Sequence, residues 1–225
     1  MLRSMFRLMV LALLTVGPAL QAVRAADEDI SRVLGSVEIA AGSHSGDATT
    51  VNGSIELGAR SVVKRAQTVN GSITVREQAA AQSLETVNGK VDLERGARVT
   101  GNVHLVNGSI ALDQGADVGG RVSNVNGSIK LQGAHIGGGI ETTAGDIEIG
   151  AGSHVEGGIL VNKENGGWFH SGSWTTPRVV IGPEAVVQGS LVFDRDVKLY
   201  VSDRARIGSV KGATAVRFSG NSPPP

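Results

Sequence analysis

Four side chains recur at nearly one interval: Arg98, Asp117, His135 and His154 lie 19, 18 and 19 residues apart. If that interval is one layer of a stacked chain, two imidazoles and a carboxylate form an outward column, and Asp117, His135 and His154 are candidate ligands for a divalent metal of the zinc type. Such a site ordinarily needs three or four ligands and outer hydrogen bonds that hold them, and the sequence supplies no others. The expectation is therefore a solvated polar column and no cofactor. A second chemistry, polysaccharide cleavage, needs paired carboxylates or a carboxylate–arginine cluster on one face. The column Glu38, Glu56, Thr74, Asp92, Ala111, Lys130, Glu148 is mixed and brings no two carboxylates into adjacent layers after Glu56. A third is ring stacking: Trp168, Phe169, His170 and Trp174 fall within seven residues. Exposed indoles stack on sugars or anchor protein contacts; the alternative is that they fold back over an apolar side of the molecule. No Ser, His and Asp arrangement and no phosphate-cradling loop emerges, so no catalytic residue is assigned and the chain is not expected to be an enzyme.

The interval itself comes from a repeat. Val51-Asn52-Gly53-Ser54-Ile55 returns at Val69 to Ile73, Val106 to Ile110 and Val125 to Ile129, with Val87-Asn88-Gly89-Lys90-Val91 as an edited copy. The glycine recurs at 35, 53, 71, 89, 108, 127 and 145, in steps of 18 or 19. A fixed period of this size marks a solenoid, whose units stack on their neighbours and lack cores of their own. Asn-Gly reads as a corner, since both residues tolerate positive φ. Stacked in register, Asn52, Asn70, Asn88, Asn107 and Asn126 would form a structural ladder of side-chain amides, as in cross-β assemblies.

The segment after each corner alternates: Ile55-Glu56-Leu57, Ile73-Thr74-Val75, Val91-Asp92-Leu93, Ile110-Ala111-Leu112, Ile129-Lys130-Leu131 and Ile147-Glu148-Ile149. Period two predicts strands with the aliphatic pair inward. A second alternation runs through Ala97-Arg98-Val99 and its relatives, and a third, less regular, through Val103 and Leu105 or Val122 and Val125. Three short strands per 18 or 19 residues make one triangular coil of a single-stranded parallel β-helix, an all-β fold with coils ~4.8 Å apart. Glycine at 32 residues and only seven aromatics suit a narrow stack of small aliphatics. A helical alternative would lose about 1 kcal/mol per interior glycine and lacks 3.6-residue spacing. The one weak coil is Glu77 to Ala81, where Ala79-Ala80-Ala81 is expected to form a short helical bulge.

After Ile149 the unit Ile149-Gly150-Ala151-Gly152-Ser153 returns as Ile181-Gly182-Pro183-Glu184-Ala185, 32 residues on, so an insertion at about 162–176 carries the ring cluster. At the start, Arg3 and Arg7, an apolar run from Leu8 to Val16, Gly17-Pro18 and small residues up to Ala25 read as a signal peptide. The apolar run is roughly half the ~20 residues a membrane span needs, and no later segment approaches that length. The expected organisation is 1–25 signal peptide, 26–33 N-terminal cap or linker, 34–212 β-helix with the insertion, and 213–225 C-terminal end and disordered tail. The mature chain is then periplasmic or secreted, without a transmembrane segment. With no cysteine it has no disulfide. Twenty-one basic residues cancel 21 acidic ones with no basic run, which gives no reason to expect nucleic acid as a partner.

The Thr-Val-Asn-Gly-Ser-Ile-x-Leu unit at Thr50 to Leu57, Thr68 to Val75 and Thr86 to Leu93 resembles the coils of bacterial putative-adhesin repeat proteins. Ile149 to Ile159 and Ile181 to Leu191 are similar to the polymer-forming bactofilin β-helix. These resemblances imply a right-handed, non-enzymatic rod, self-associating through its ends in the bactofilin case. Ile181-Gly182-Pro183-Glu184-Ala185-Val186, with aliphatics at six-residue steps through Val51, Leu57, Val63, Val69 and Val75, resembles hexapeptide acyltransferases, whose cytosolic acyl donors fit poorly with export. The leading expectation is an exported structural protein, adhesin-like or polymer-forming, meeting cell-envelope polysaccharide or a surface protein. The alternatives are a polysaccharide-binding or polysaccharide-cleaving protein using the ring cluster, and the acyltransferase.

Overall fold

Strands take up nearly all the regular backbone, and each pairs in parallel with the strand one repeat away. The structure is a computed structural model describing residues 28–163 and 176–223. Among the described residues 23 strands join in one parallel sheet and there is no helix; the sheet is wound into about ten turns. Each turn contributes to three ladders. On the first face Val37 pairs with Ile55, Ile55 with Ile73, and the column continues through Val91, Ile110, Ile129, Ile147, Val179 and Leu199 to Ala215. The second face stacks Val63, Ala81, Val99, Val118, Ile136, Val155 and Val187. The third stacks Ala48, Ala66, Leu84, Val103, Val122, Ile140, Ile159 and Leu191. All these columns face inward and make one continuous aliphatic core. Their neighbours in sequence point to solvent, as strand alternation requires.

Each residue of Thr-Val-Asn-Gly has its own place at the corner. The threonine is buried, and its hydroxyl donates to the preceding corner's glycine carbonyl: Thr50 to Gly35 at 3.0 Å, Thr68 to Gly53 at 2.9 Å, Thr86 to Gly71 at 3.1 Å. The valine points outward. The glycine is needed because the corners nearly touch. A Cβ on Gly71 would lie 1.9 Å from the Gly53 carbonyl oxygen, and one on Gly108 would lie 1.7 Å from that of Gly89. Positive φ is not what the asparagine supplies, because the non-glycine residues with positive φ are Arg60, Gln78 and Glu184. The corner thus rests on close backbone approach rather than on a left-handed Asn-Gly pair.

Four further expectations are corrected. The helical bulge at Ala79-Ala80-Ala81 does not form: Ala79 is fully buried and Ala80–Leu93 is one long strand. The supply of inward methyl groups at Ala79 and Ala81 keeps this coil in register. On the third face Asn124, not Val125, turns inward, paired with Leu105. Its amide nitrogen donates to the Gly108 carbonyl at 3.0 Å, repeating the threonine bond with a longer side chain. The six-residue aliphatic rhythm is not the core rhythm, since Val51 and Val69 are exposed. Finally, the solenoid is longer than its repeats indicate. Ile30–Leu34 already pairs with His44–Asn52, and Ala215–Phe218 still pairs with Lys198–Ser202.

The extra residues after Ile149 do not disturb the stack. Ile149 pairs with Ile181 and Ile159 with Leu191, so the ladders resume in register on the far side. Outward positions change character there. Leu160 and Val192 replace Glu141 on the third face, and Val180 and Tyr200 follow Glu148 on the first. The Arg178 guanidinium covers the Tyr200 ring at 5.0 Å, a cation–π contact that shields part of this apolar surface.

Candidate functional site

Stacking does place Arg98, Asp117, His135 and His154 in one outward column, each paired with the next. Side-chain bonds then decide what the column can do. His135 Nδ1 meets Asp117 Oδ1 at 2.6 Å, and its Nε2 meets Glu156 Oε1 at 3.3 Å. Arg98 Nε binds the other Asp117 oxygen at 3.2 Å. His154 Nε2 lies 2.9 Å from Gln188 Nε2, and its ring is tilted against that of His135 with centroids 5.7 Å apart. Both nitrogens of His135 are therefore taken by carboxylates, and Asp117 is shared with an arginine. Among the described residues no group of three or more His, Asp or Glu side chains is placed to hold an ion. The three candidates are neighbours that do not converge on a point.

The same bonds favour a charged imidazole. The hydrogen bond that His135 donates to Asp117, with a weaker one to Glu156, lifts its pKa above the ordinary 6.5, against an opposing effect of burial smaller than that of Asp117. A histidine raised in the folded state stabilises the fold fully below its unfolded pKa of about 6.5, and that contribution disappears as pH rises through the folded pKa. An NMR titration is expected to place His135 above 6.5, and Asp117→Asn to bring it down toward that value. An unshifted His135 in the unmodified protein would show that the carboxylate contact does not persist in solution.

The asparagine ladder has one direction. Each Nδ2 donates to the Oδ1 of the preceding coil: Asn70 to Asn52 at 3.0 Å, Asn88 to Asn70 at 2.9 Å, Asn107 to Asn88 at 3.0 Å and Asn126 to Asn107 at 3.0 Å. Every inner amide is both donor and acceptor, which leaves no bonding capacity pointing along the ladder for a ligand. Asn88→Asp keeps the shape but removes the donor toward Asn70. The expected cost is about 1 kcal/mol, read as a lower denaturation midpoint, with part of the loss recovered when the new carboxyl is protonated.

The carboxylate column on the first face is neutralised coil by coil. Arg76 bridges Glu56 at 2.8 Å and Glu94 at 2.7 Å, Lys90 meets Asp92 at 2.7 Å, and Lys130 meets Glu148 at 3.1 Å. The two acids raise the Arg76 pKa, the Glu56 hydrogen bond most. Glu38 and Glu56 are the adjacent pair, and Arg76 occupies the second of them. Trp168, Phe169, His170 and Trp174 lie outside the described residues.

One juxtaposition escapes a motif search. On the third face Glu85, His104, Ser123 and Glu141 form an outward column in consecutive coils. His104 Nδ1 and Ser123 Oγ are 2.8 Å apart. They line an open groove with Glu85, Asn102 and Arg121, walled by Gly120 and Gly138. Arg121 is held by the Glu141 carboxylate, which also accepts from Asn162 Nδ2 at 2.7 Å. The signal was the step from His104 to Ser123, the same 19 residues that separate Asn107 from Asn126.

Compared with protein-family models, curated proteins and solved structures, the chain gives no significant match to any of the three. Its architecture is compatible with a β-helix repeat family.

Proposed function

We propose that this chain is an exported structural rod, adhesin-like or polymer-forming, whose work is to hold a long rigid surface outside the cytoplasm. The observation that carries this reading is the unbroken register of about ten coils over one aliphatic core. A rod so built bends little, because every coil is fixed to its neighbours by backbone bonds on three sides. The apolar run after Arg7 and the small residues ending at Ala25 support export.

The ends support a contact between copies. Among the described residues Val37–Ile39 at one end, and Arg206–Ile207, Val210–Lys211 and Ala215–Phe218 at the other, pair on one side only, and an unpaired edge is a template for another strand. The first coil carries Glu28, Asp29, Glu38 and Asp47 against Arg32, whereas the last coils carry Lys198, Arg204, Arg206, Lys211 and Arg217 against Asp203. Opposite charges favour head-to-tail contact. Arg32 and Arg217 also sit in inward register, paired with Thr50 and Val201, and a charge there opposes pairing until an acid neutralises it.

Sedimentation of the mature chain tests the reading. Long species should form at low ionic strength and shorten as salt screens the ends. A chain that stays monomeric at every concentration and also binds no cell-envelope fraction contradicts the rod reading, and recovery in the cytoplasm with its first 25 residues intact contradicts export.

A further inference from the structure

The Ser123–His104 pair does work that neither the core nor the ladders require. Both side chains point outward, His104 is exposed, and each coil would stack equally well with other polar residues there. Their bond is short at 2.8 Å, whereas the alternative acceptor for the serine, the Val103 carbonyl, stands at 3.5 Å. A hydroxyl donating to an imidazole nitrogen is the arrangement in which a base can take the proton as the oxygen attacks. In the preceding coil Glu85 is the register partner of His104. The Glu85 carboxylate accepts from Gln67 Nε2 at a long 3.4 Å. Nucleophile, base and acid thus occupy three consecutive coils, ~4.8 Å apart.

We propose that Ser123 and His104 are a nucleophilic pair that cleaves short acyl esters of polar, hydroxyl-rich carriers, with Glu85 as the positioning residue. The groove fits that class. It is open and lined by Glu85, Asn102 and Arg121 beside the pair, and this polar lining offers no apolar pocket for a long acyl chain. Arg121 is tied to Glu141 through Nη1, and its remaining N–H groups are donors for the ester carbonyl oxygen.

The chemistry balances with water as the only co-reactant. Ser123 Oγ bonds to the acyl carbon while its proton passes to His104 Nδ1, and the carbonyl pair moves onto oxygen. Collapse breaks the ester C–O bond, and the departing alcohol takes the proton from the imidazolium, leaving acyl-Ser123. Water then attacks the acyl carbon, giving its proton to His104, which returns it to Ser123 as the carboxylic acid leaves.

Reaction of the full mature chain with diisopropyl fluorophosphate, followed by peptide mass mapping, tests the pair directly. The adduct is expected on Ser123, with His104→Ala slowing its formation by about 10²- to 10⁴-fold. Glu85→Gln should keep the adduct but slow its formation, and Glu85→Asp should recover the rate, which a purely structural role for Glu85 would not do. Hydrolysis of 4-nitrophenyl acetate should fall in Ser123→Ala, whereas a solvent-exposed histidine acting alone would be unaffected by that change. An adduct that is absent, that maps elsewhere, or that forms equally fast in His104→Ala overturns the proposal. Circular dichroism of each variant should match the unmodified chain, since these positions lie outside the core. Assembly measured by sedimentation is independent of the adduct, so either result leaves the rod reading to its own test.

Discussion

Gly108→Ala is expected to disrupt the middle of the solenoid. The added Cβ would lie 1.7 Å from the Gly89 carbonyl oxygen, far inside the separation any such contact tolerates. Relief through a side chain is impossible, because the obstacle is backbone held in a parallel ladder by the Asn88–Asn107 and Gly89–Gly108 pairs. The coil must separate from its neighbour or twist, and either movement exposes Val91 and Ile110, both fully buried. The residue also has φ +138°, where alanine is strained in any case. Together these place the loss at about 4 kcal/mol or more, in the range that marks a disallowed backbone contact. Gly42→Ala separates the two causes. Gly42 has φ +70° but open space around its Cβ position, so only the left-handed strain of about 1–2 kcal/mol applies. Urea denaturation of both variants decides the matter: equal losses would show that close approach of the corners is not what demands glycine.

Legibility in the sequence depended on whether a residue's type announced its direction. Ile-x-Leu after each corner was legible, because two aliphatics flanking a polar residue leave one way to face the core. Thr50, Thr68 and Thr86 were not, since a threonine beside an outward valine reads as the exposed partner. Only the glycine carbonyl within reach of its hydroxyl makes burial favourable. Asn124 was hidden for the same reason, and Val125 drew attention because it is apolar. The asparagine ladder was legible from period alone, whereas the physical demand for the following glycine was not. Clearance between coils is set by the stacked backbone and has no local sequence signature. Both ends were missed because Ile30 to Leu34 and Ala215 to Phe218 lack Val-Asn-Gly yet still find partners one coil away. For the candidate sites, the period predicted which residues share a column but not which bonds they choose. His135 turned to two carboxylates instead of converging with His154, and Ser123 met His104 on the face whose alternation was least regular.

Ile110→Ala should cost stability in a way that reveals how the rod holds together. Ile110 is fully buried between Val91 and Ile129 in the longest aliphatic column. Truncation removes the transfer free energy of three carbons and leaves a cavity that flanking coils, fixed by their own ladders, cannot close. The expected loss is about 2–5 kcal/mol. In a stack where each coil contacts only its neighbours, that loss falls on two interfaces near the middle. The single unfolding transition should therefore broaden or split, with hydrogen exchange accelerating first on both sides of Ile110. Ile207→Ala is the contrast: Ile207 is only partly buried and pairs on one side, in the last coils. Its truncation should increase fraying beyond about Val187 and leave protection at Ile110 unchanged. If the two variants lower the midpoint equally and exchange rises uniformly along the chain in both, then the coils unfold as one unit, and stability is not the sum of neighbouring contacts.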